Sequence, residues 1–120
     1  MPFALSRPVI ASESDAVAAS WSVQAFAVCA DPLPGLELVY QEGSAFDSTQ
    51  SKSETARCPA GKVLTGSGYV LTTLANLGGE VLVDSVRPAT LGGSVVVHAA
   101  EEDPLDAAWK VDPIAICALL

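Results

Sequence analysis

The sequence predicts an all-β protein, an antiparallel sandwich or barrel of about seven to eight short strands. Three observations carry that reading. Runs rich in Val, Leu, Ile and Thr are short and are punctuated by Gly and Pro clusters. Helical periodicity is weak, and its one candidate, Thr72–Leu77, is too short to stand alone. An internal repeat, offset by 88 positions, reads as strand, turn and strand in both copies.

The repeat aligns residues 9–30 with 97–118 without a gap. Identities fall at Val9/Val97, Ala11/Ala99, Glu13/Glu101, Asp15/Asp103, Ala19/Ala107, Trp21/Trp109, Val23/Val111, Ala27/Ala115, Cys29/Cys117 and Ala30/Ala118, ten in 22 positions. Average residue frequencies would give about two. The chain thus reads as a single β domain, 1–120, holding one complete unit of about 31–118 and the closing third of another. Residues 1–30 are expected to supply strands to the same core as 31–120, because an isolated hairpin is marginal in water.

Taken in order, Asp31-Pro-Leu-Pro-Gly35 is a rigid link and Leu36–Tyr40 a strand. Glu42–Ser53 is polar and Ser/Thr-rich, as surface loops are. Glu54–Cys58 is a short strand and Cys58-Pro-Ala-Gly61 a turn. Lys62–Leu71 is β-rich, but Gly66 and Gly68 interrupt it, which signals a bulge or a close backbone approach. Gly66-x-Gly68 lacks the third glycine and the following helix of a dinucleotide site. Leu77-Gly-Gly79 is a turn, Glu80–Val86 a strand and Leu91-Gly-Gly93 a turn. Val95–Ala99 is a β-branched strand, and Glu101–Asp106 an acidic turn containing a Pro.

The last strand, Trp109–Cys117, alternates. Trp109, Val111, Pro113, Ala115 and Cys117 fall on one face, with Lys110, Asp112, Ile114 and Ile116 on the other. The second face turns from polar to apolar along the strand, so its far end is expected to be covered on both sides. Pro113 lacks a ladder donor, which places this strand at an edge or at a bulge.

Composition sets further bounds. The 120 residues are 50% hydrophobic and 17% charged, enough apolar surface for a real core. A net charge of −8 argues against a nucleic-acid partner, because phosphate neutralisation needs a basic face. No window approaches the roughly 18 unbroken apolar residues of a membrane helix. The opening Met1–Pro8 has its only base, Arg7, after the apolar stretch, unlike a secretory signal. A mature fragment given a start Met and a virion component both fit that opening.

Cys58-Pro-Ala-Gly-Lys-Val-Leu-Thr-Gly-Ser-Gly and Trp109…Ile114-Ala-Ile-Cys-Ala118, with Trp21-Ser-Val-Gln-Ala-Phe-Ala-Val-Cys-Ala30, resemble a family of secreted β modules common in actinobacteria. Such modules open on a Cys-Pro-x-Gly-Lys turn and close on a Trp…Ala-(Ile/Val)-Cys-Ala strand. They occur in tandem arrays and as heads of collagen-like or fibre proteins, phage-encoded ones included. The resemblance spans 58–118 as a unit and 9–30 as part of another; Gly66-Ser67-Gly68 and Pro113 depart from it. It implies no catalytic residues. It pairs an opening with a closing cysteine, so Cys58 and Cys117 are the expected disulfide and Cys29 the unpaired thiol. Cys29–Cys58 is the rival if the Asp31–Gly35 link turns straight back, and a cytosolically assembled virion part would keep all three reduced.

Each chemistry-bearing residue also has a plainer role. Glu101, Glu102, Asp103 and Asp106, echoed by Glu13 and Asp15, could offer oxygens to calcium, but without EF-hand spacing they read as a solvated turn. Three scattered cysteines and one histidine do not make a zinc site, so no metal and no cofactor is expected. His98 has no nucleophile signature beside it and reads as structural. Trp21 and Trp109 begin equivalent strands and read as core plugs rather than sugar platforms. The loop Ser44–Ser53 is the best place for recognition, though a plain connector accounts for it too.

The expected function is therefore a non-enzymatic structural or interaction module of an extracellular, cell-surface or virion setting. Its expected partners are further copies, as a dimer or trimer, or neighbouring modules. The alternative is a carbohydrate- or small-ligand-binding module, which needs Trp21, Trp109, Tyr40 or Tyr69 exposed beside polar loops. A small β-barrel enzyme, with His98 facing a carboxylate in a deep pocket, is the remote third reading.

Overall fold

A computed structural model describes residues 9–11, 13, 16–73, 80–89, 92–104 and 106–119. Among them are six strands: β1 (Glu37–Tyr40), β2 (Ser51–Arg57), β3 (Val63–Thr73), β4 (Val81–Pro88), β5 (Ser94–Glu101) and β6 (Trp109–Ala118). They form two three-stranded antiparallel sheets, ordered β1-β6-β3 and β2-β5-β4. The all-β sandwich is as the sequence predicts. The expected turn at Leu77–Gly79 and the weak helical stretch Thr72–Leu77 fall mostly outside the described residues, as do Asp15 and Leu91.

The strand count is lower than expected because residues 9–30 contribute none: no described residue of that segment is in a strand, and all are exposed. This corrects two expectations: the described residues of 1–30 share no core with 31–120, and Trp21, expected to be buried, is 51% exposed. The reason lies in the sheet order. A closing strand is stabilised by a neighbour on each side, and the slot between β1 and β3 is already filled by β6. The first copy has the sequence of a central strand but no ladder to join.

The repeated unit 97–118 thus occupies the centre of both sheets, β5 in one and β6 in the other. Inward alternation builds two contiguous clusters. Val81, Val97, Ala99, Trp109 and Val111 pack with Leu71, Val83 and Val86. Ala56, Val95, Ala115 and Cys117 pack with Val39, Cys58 and Leu64. Full burial of each valine contributes about 1.5–3 kcal/mol. The Cys58–Cys117 disulfide, Cα–Cα 5.7 Å, ties the end of β2 in one sheet to β6 in the other; Cys29 is free and exposed. Lys62, which follows the Cys58–Gly61 turn, pairs with Glu37 of β1 at 2.7 Å.

Pro113 lies in a central strand, not at an edge, and β6 carries no bulge there. Its carbonyl accepts from Gln41 N–H, so its nitrogen also points toward the β1 side. β1 ends at Tyr40, so the missing donor falls beyond the ladder and the β3 side stays complete. The expected bulge in β3 is present, between Leu64 and Gly66. A Cβ at Gly66 would stand 3.1 Å from Ile116 Cδ1, which explains a glycine at that close approach.

Candidate functional site

The outer face of the β1-β6-β3 sheet is the most distinctive surface. Register places Leu38 and Tyr40 of β1 opposite Ile116 and Ile114 of β6, which in turn face Gly66 and Gly68 of β3. Val70 and Thr72 continue β3 opposite Asp112 and Lys110. Leu38, Tyr40 and Val70 are 39%, 51% and 40% exposed, and Ile114 and Ile116 are half-buried. The two glycines carry no side chains, so the flanks of both isoleucines are left uncovered. The far end of β6 is thus apolar on both faces, as its alternation predicts, but its outer face is open.

One end of this face is polar. Asp112, fully buried, accepts from Tyr40 Oη at 2.7 Å and from Gly43 N–H at 2.8 Å. Lys110 Nζ lies 3.5 Å from the same carboxylate and 3.6 Å from Glu42. Gly43 is required here: a Cβ would stand 2.4 Å from the Val111 carbonyl oxygen. Burial opposes ionisation of Asp112, but the donors of Gly43 and Tyr40, with Lys110, outweigh it and hold the carboxyl below its ordinary range. Tyr40 is raised, first by its hydrogen bond to Asp112. Desolvation lowers Lys110, yet the Asp112 charge and hydrogen bond leave it raised.

The loop before β2 is not a free connector. Ser44 and Asp47 exchange hydrogen bonds with Val111 and Trp109, extending the β1 side along β6. Lys52, buried, donates to Ala45 O at 2.7 Å and Asp47 O at 3.1 Å, also reaches Trp109 O, and sits 4.4 Å from the Trp109 ring centroid. Its 2.8 Å contact with Asp47 Oδ1, with the Thr49 donors, lowers that carboxyl to about 2. The expected loop also ends early, since Ser51–Ser53 belong to β2.

The remaining candidates are dispersed. Trp109 is the core plug expected, and its Nε1 donates to buried Glu101 Oε2 at 3.1 Å. Glu101 therefore faces inward, apart from exposed Glu102, Asp103 and Asp106; among the described residues no cluster could hold a metal ion. His98 does meet a carboxylate, Asp84 Oδ1 at 2.5 Å, where β4 bulges between Val83 and Ser85. That pair lies part-exposed on the outer face of the β2-β5-β4 sheet rather than in a deep pocket. Tyr69 is exposed on β3 opposite Pro113.

Sequence reasoning did not single out Asp112, Lys52 or Gly43. Asp112 had one visible signal, a carboxylate in a strand whose later outward positions are apolar. Lys52 had none, because its burial depends on a loop crossing over Trp109. Comparison with protein-family models, curated proteins and solved structures finds no match.

Proposed function

We propose that the protein is a non-enzymatic structural or interaction module that associates with further copies of itself through the outer face of its β1-β6-β3 sheet. The apolar strip of exposed Leu38, Tyr40 and Val70 with half-buried Ile114 and Ile116 carries this reading. Contiguous exposed apolar surface marks an interface, and a sandwich needs only one buried face per sheet. The first repeat copy keeps the character of that face, with Phe26 and Val28 where Ile114 and Ile116 stand. An inter-sheet disulfide suits an oxidising, extracellular or virion-surface setting. No helix among the described residues is long and apolar enough to cross a membrane.

Light scattering over a concentration series tests the reading. A dimer or trimer is expected at high micromolar concentration, with Ile116→Glu shifting it to monomer. A strict 12.3 kDa monomer throughout would overturn it. A second reading rests on Tyr40: an exposed phenol beside Lys110 and Glu42 resembles the edge of a glycan site. Glycan-array binding that disappears in Tyr40→Ala would favour it.

A further inference from the structure

The two repeat copies match mainly where the folded copy is buried. Of the ten buried residues in 97–118, eight are matched in 9–30: Val97, Ala99, Glu101, Trp109, Val111, Ala115, Cys117 and Ala118; Asp112 and Pro113 are the exceptions. Of the eleven described residues that are not buried, only Asp103 and Ala107 are matched. A solvated segment has no physical reason to match chiefly at core positions. The first copy nevertheless lies in water, with Trp21 and Val23 half-exposed, Phe26 at 87% and Val28 at 102%.

Two structural details agree. Trp21 Nε1 donates to Glu13 Oε2 at 2.8 Å, the same bond at the same spacing of eight that Trp109 makes to Glu101 inside the sandwich. Leu119 N–H donates to Pro34 O at 2.8 Å. The link that follows the first copy therefore runs beside the exit of the β6 slot.

We propose that residues 9–30 are a complementing β-hairpin whose partner is a module of this same kind with its central slot open. Residues 21–30 enter between β1 and β3 in the register of β6, which sets Cys29 opposite Glu37, where Cys117 now stands. Cys29 then bonds the cysteine at the position of Cys58. Two thiols give up two protons and two electrons to a disulfide oxidant such as oxidised glutathione, which leaves as two thiols. Nothing here depends on the outer face, so this hairpin and self-association through β1-β6-β3 fail independently.

The test uses the full chain refolded in a glutathione redox buffer. Ala115 is fully buried, so Ala115→Asp disables β6 in its slot. Expected for A115D are a retained cooperative denaturation transition, a Cys29–Cys58 peptide in non-reducing mapping and a Trp21 shielded from acrylamide. The double variant Ala27→Asp with Ala115→Asp loses the transition. Where A115D has no transition, a chimera decides: A108S, K110S, D112Q, P113A, I114F and I116V rewrite 107–118 as 19–30. A chimera that unfolds cooperatively and forms Cys58–Cys117 supports the hairpin. Loss of the transition in both A115D and the chimera overturns it, as does Cys58–Cys117 retained in A115D.

Discussion

Trp109 and Glu101 close the core against each other: the indole N–H at the start of β6 meets the carboxylate at the end of β5 across 3.1 Å. Both residues are buried. Their bond sits where the chain passes from one sheet to the other, so it fixes the crossing as well as satisfying the indole. Glu101→Gln retains an acceptor and is expected to shift the denaturation midpoint little. Glu101→Ala leaves a buried N–H without this partner and costs about 1–3 kcal/mol. Equal midpoints for the Ala and Gln variants in urea unfolding would show that the bond does not matter.

The Lys52–Asp47 contact makes stability depend on acid. Asp47 titrates near 2 in the folded protein, below the ordinary 3.8. A carboxyl lowered on folding contributes stability that is fully present above about pH 4 and is lost as pH falls through about 2. Asp112 is lowered too and adds in the same direction. Lys52→Met should flatten the dependence between pH 4 and 2 and lower stability at pH 7, because three carbonyls lose a charged donor. Urea midpoints measured at pH 7, 4 and 2.5 read both effects.

Tyr40 and Asp112 report on the polar end of the outer face. The carboxylate accepts a hydrogen bond from the phenol O–H and holds Tyr40 above its ordinary 10.0. Asp112→Asn removes the charge and is expected to bring the Tyr40 titration down toward 10.0. Ultraviolet titration in a Tyr69→Phe background isolates it, since the chain has two tyrosines. An unmoved curve would mean that the hydrogen bond is not formed in solution.

The disulfide spans the two sheets over a sequence separation of 59. Replacing both Cys58 and Cys117 with Ala removes up to about 4 kcal/mol on the chain-entropy account. The expected readout is a lower thermal midpoint with unchanged β-sheet circular dichroism. Equal midpoints for the wild type and the double variant would show that the bridge contributes nothing.

Much of this fold was legible from alternation. Trp109, Val111, Ala115 and Cys117 fall on one side of a strand by period alone, and burial puts them there. Gly66 announced its bulge because a missing side chain in a β run has few other uses. Pro113 misled, because its cost depends on where the neighbouring strand stops, which local sequence does not encode. The same blindness hid Asp112 and Lys52: their partners Gly43, Tyr40 and Ala45 are distant in sequence or held by a loop that has no period. Trp21 shows the limit most plainly. Its surroundings in sequence match those of Trp109, yet only one ladder slot exists between β1 and β3.

That single slot decides what the N-terminal segment contributes to stability. No described residue of 9–30 is buried or in a strand, whereas the clusters around Val97 and Ala115 are built wholly from residues 39–117. Hydrophobic stabilisation follows apolar area removed from water, and the segment removes almost none. Deleting residues 1–30 is therefore expected to leave the sandwich folded, with a denaturation midpoint close to that of the full chain and Cys58–Cys117 intact. Solubility should rise, because Val28, Ile10 and Phe26, the three most exposed large hydrophobic side chains among the described residues, all lie in the deleted segment. Differential scanning calorimetry of the two chains compares them directly. A truncated chain with no cooperative transition would mean that the segment packs on the sandwich in solution and that the core extends beyond β1–β6.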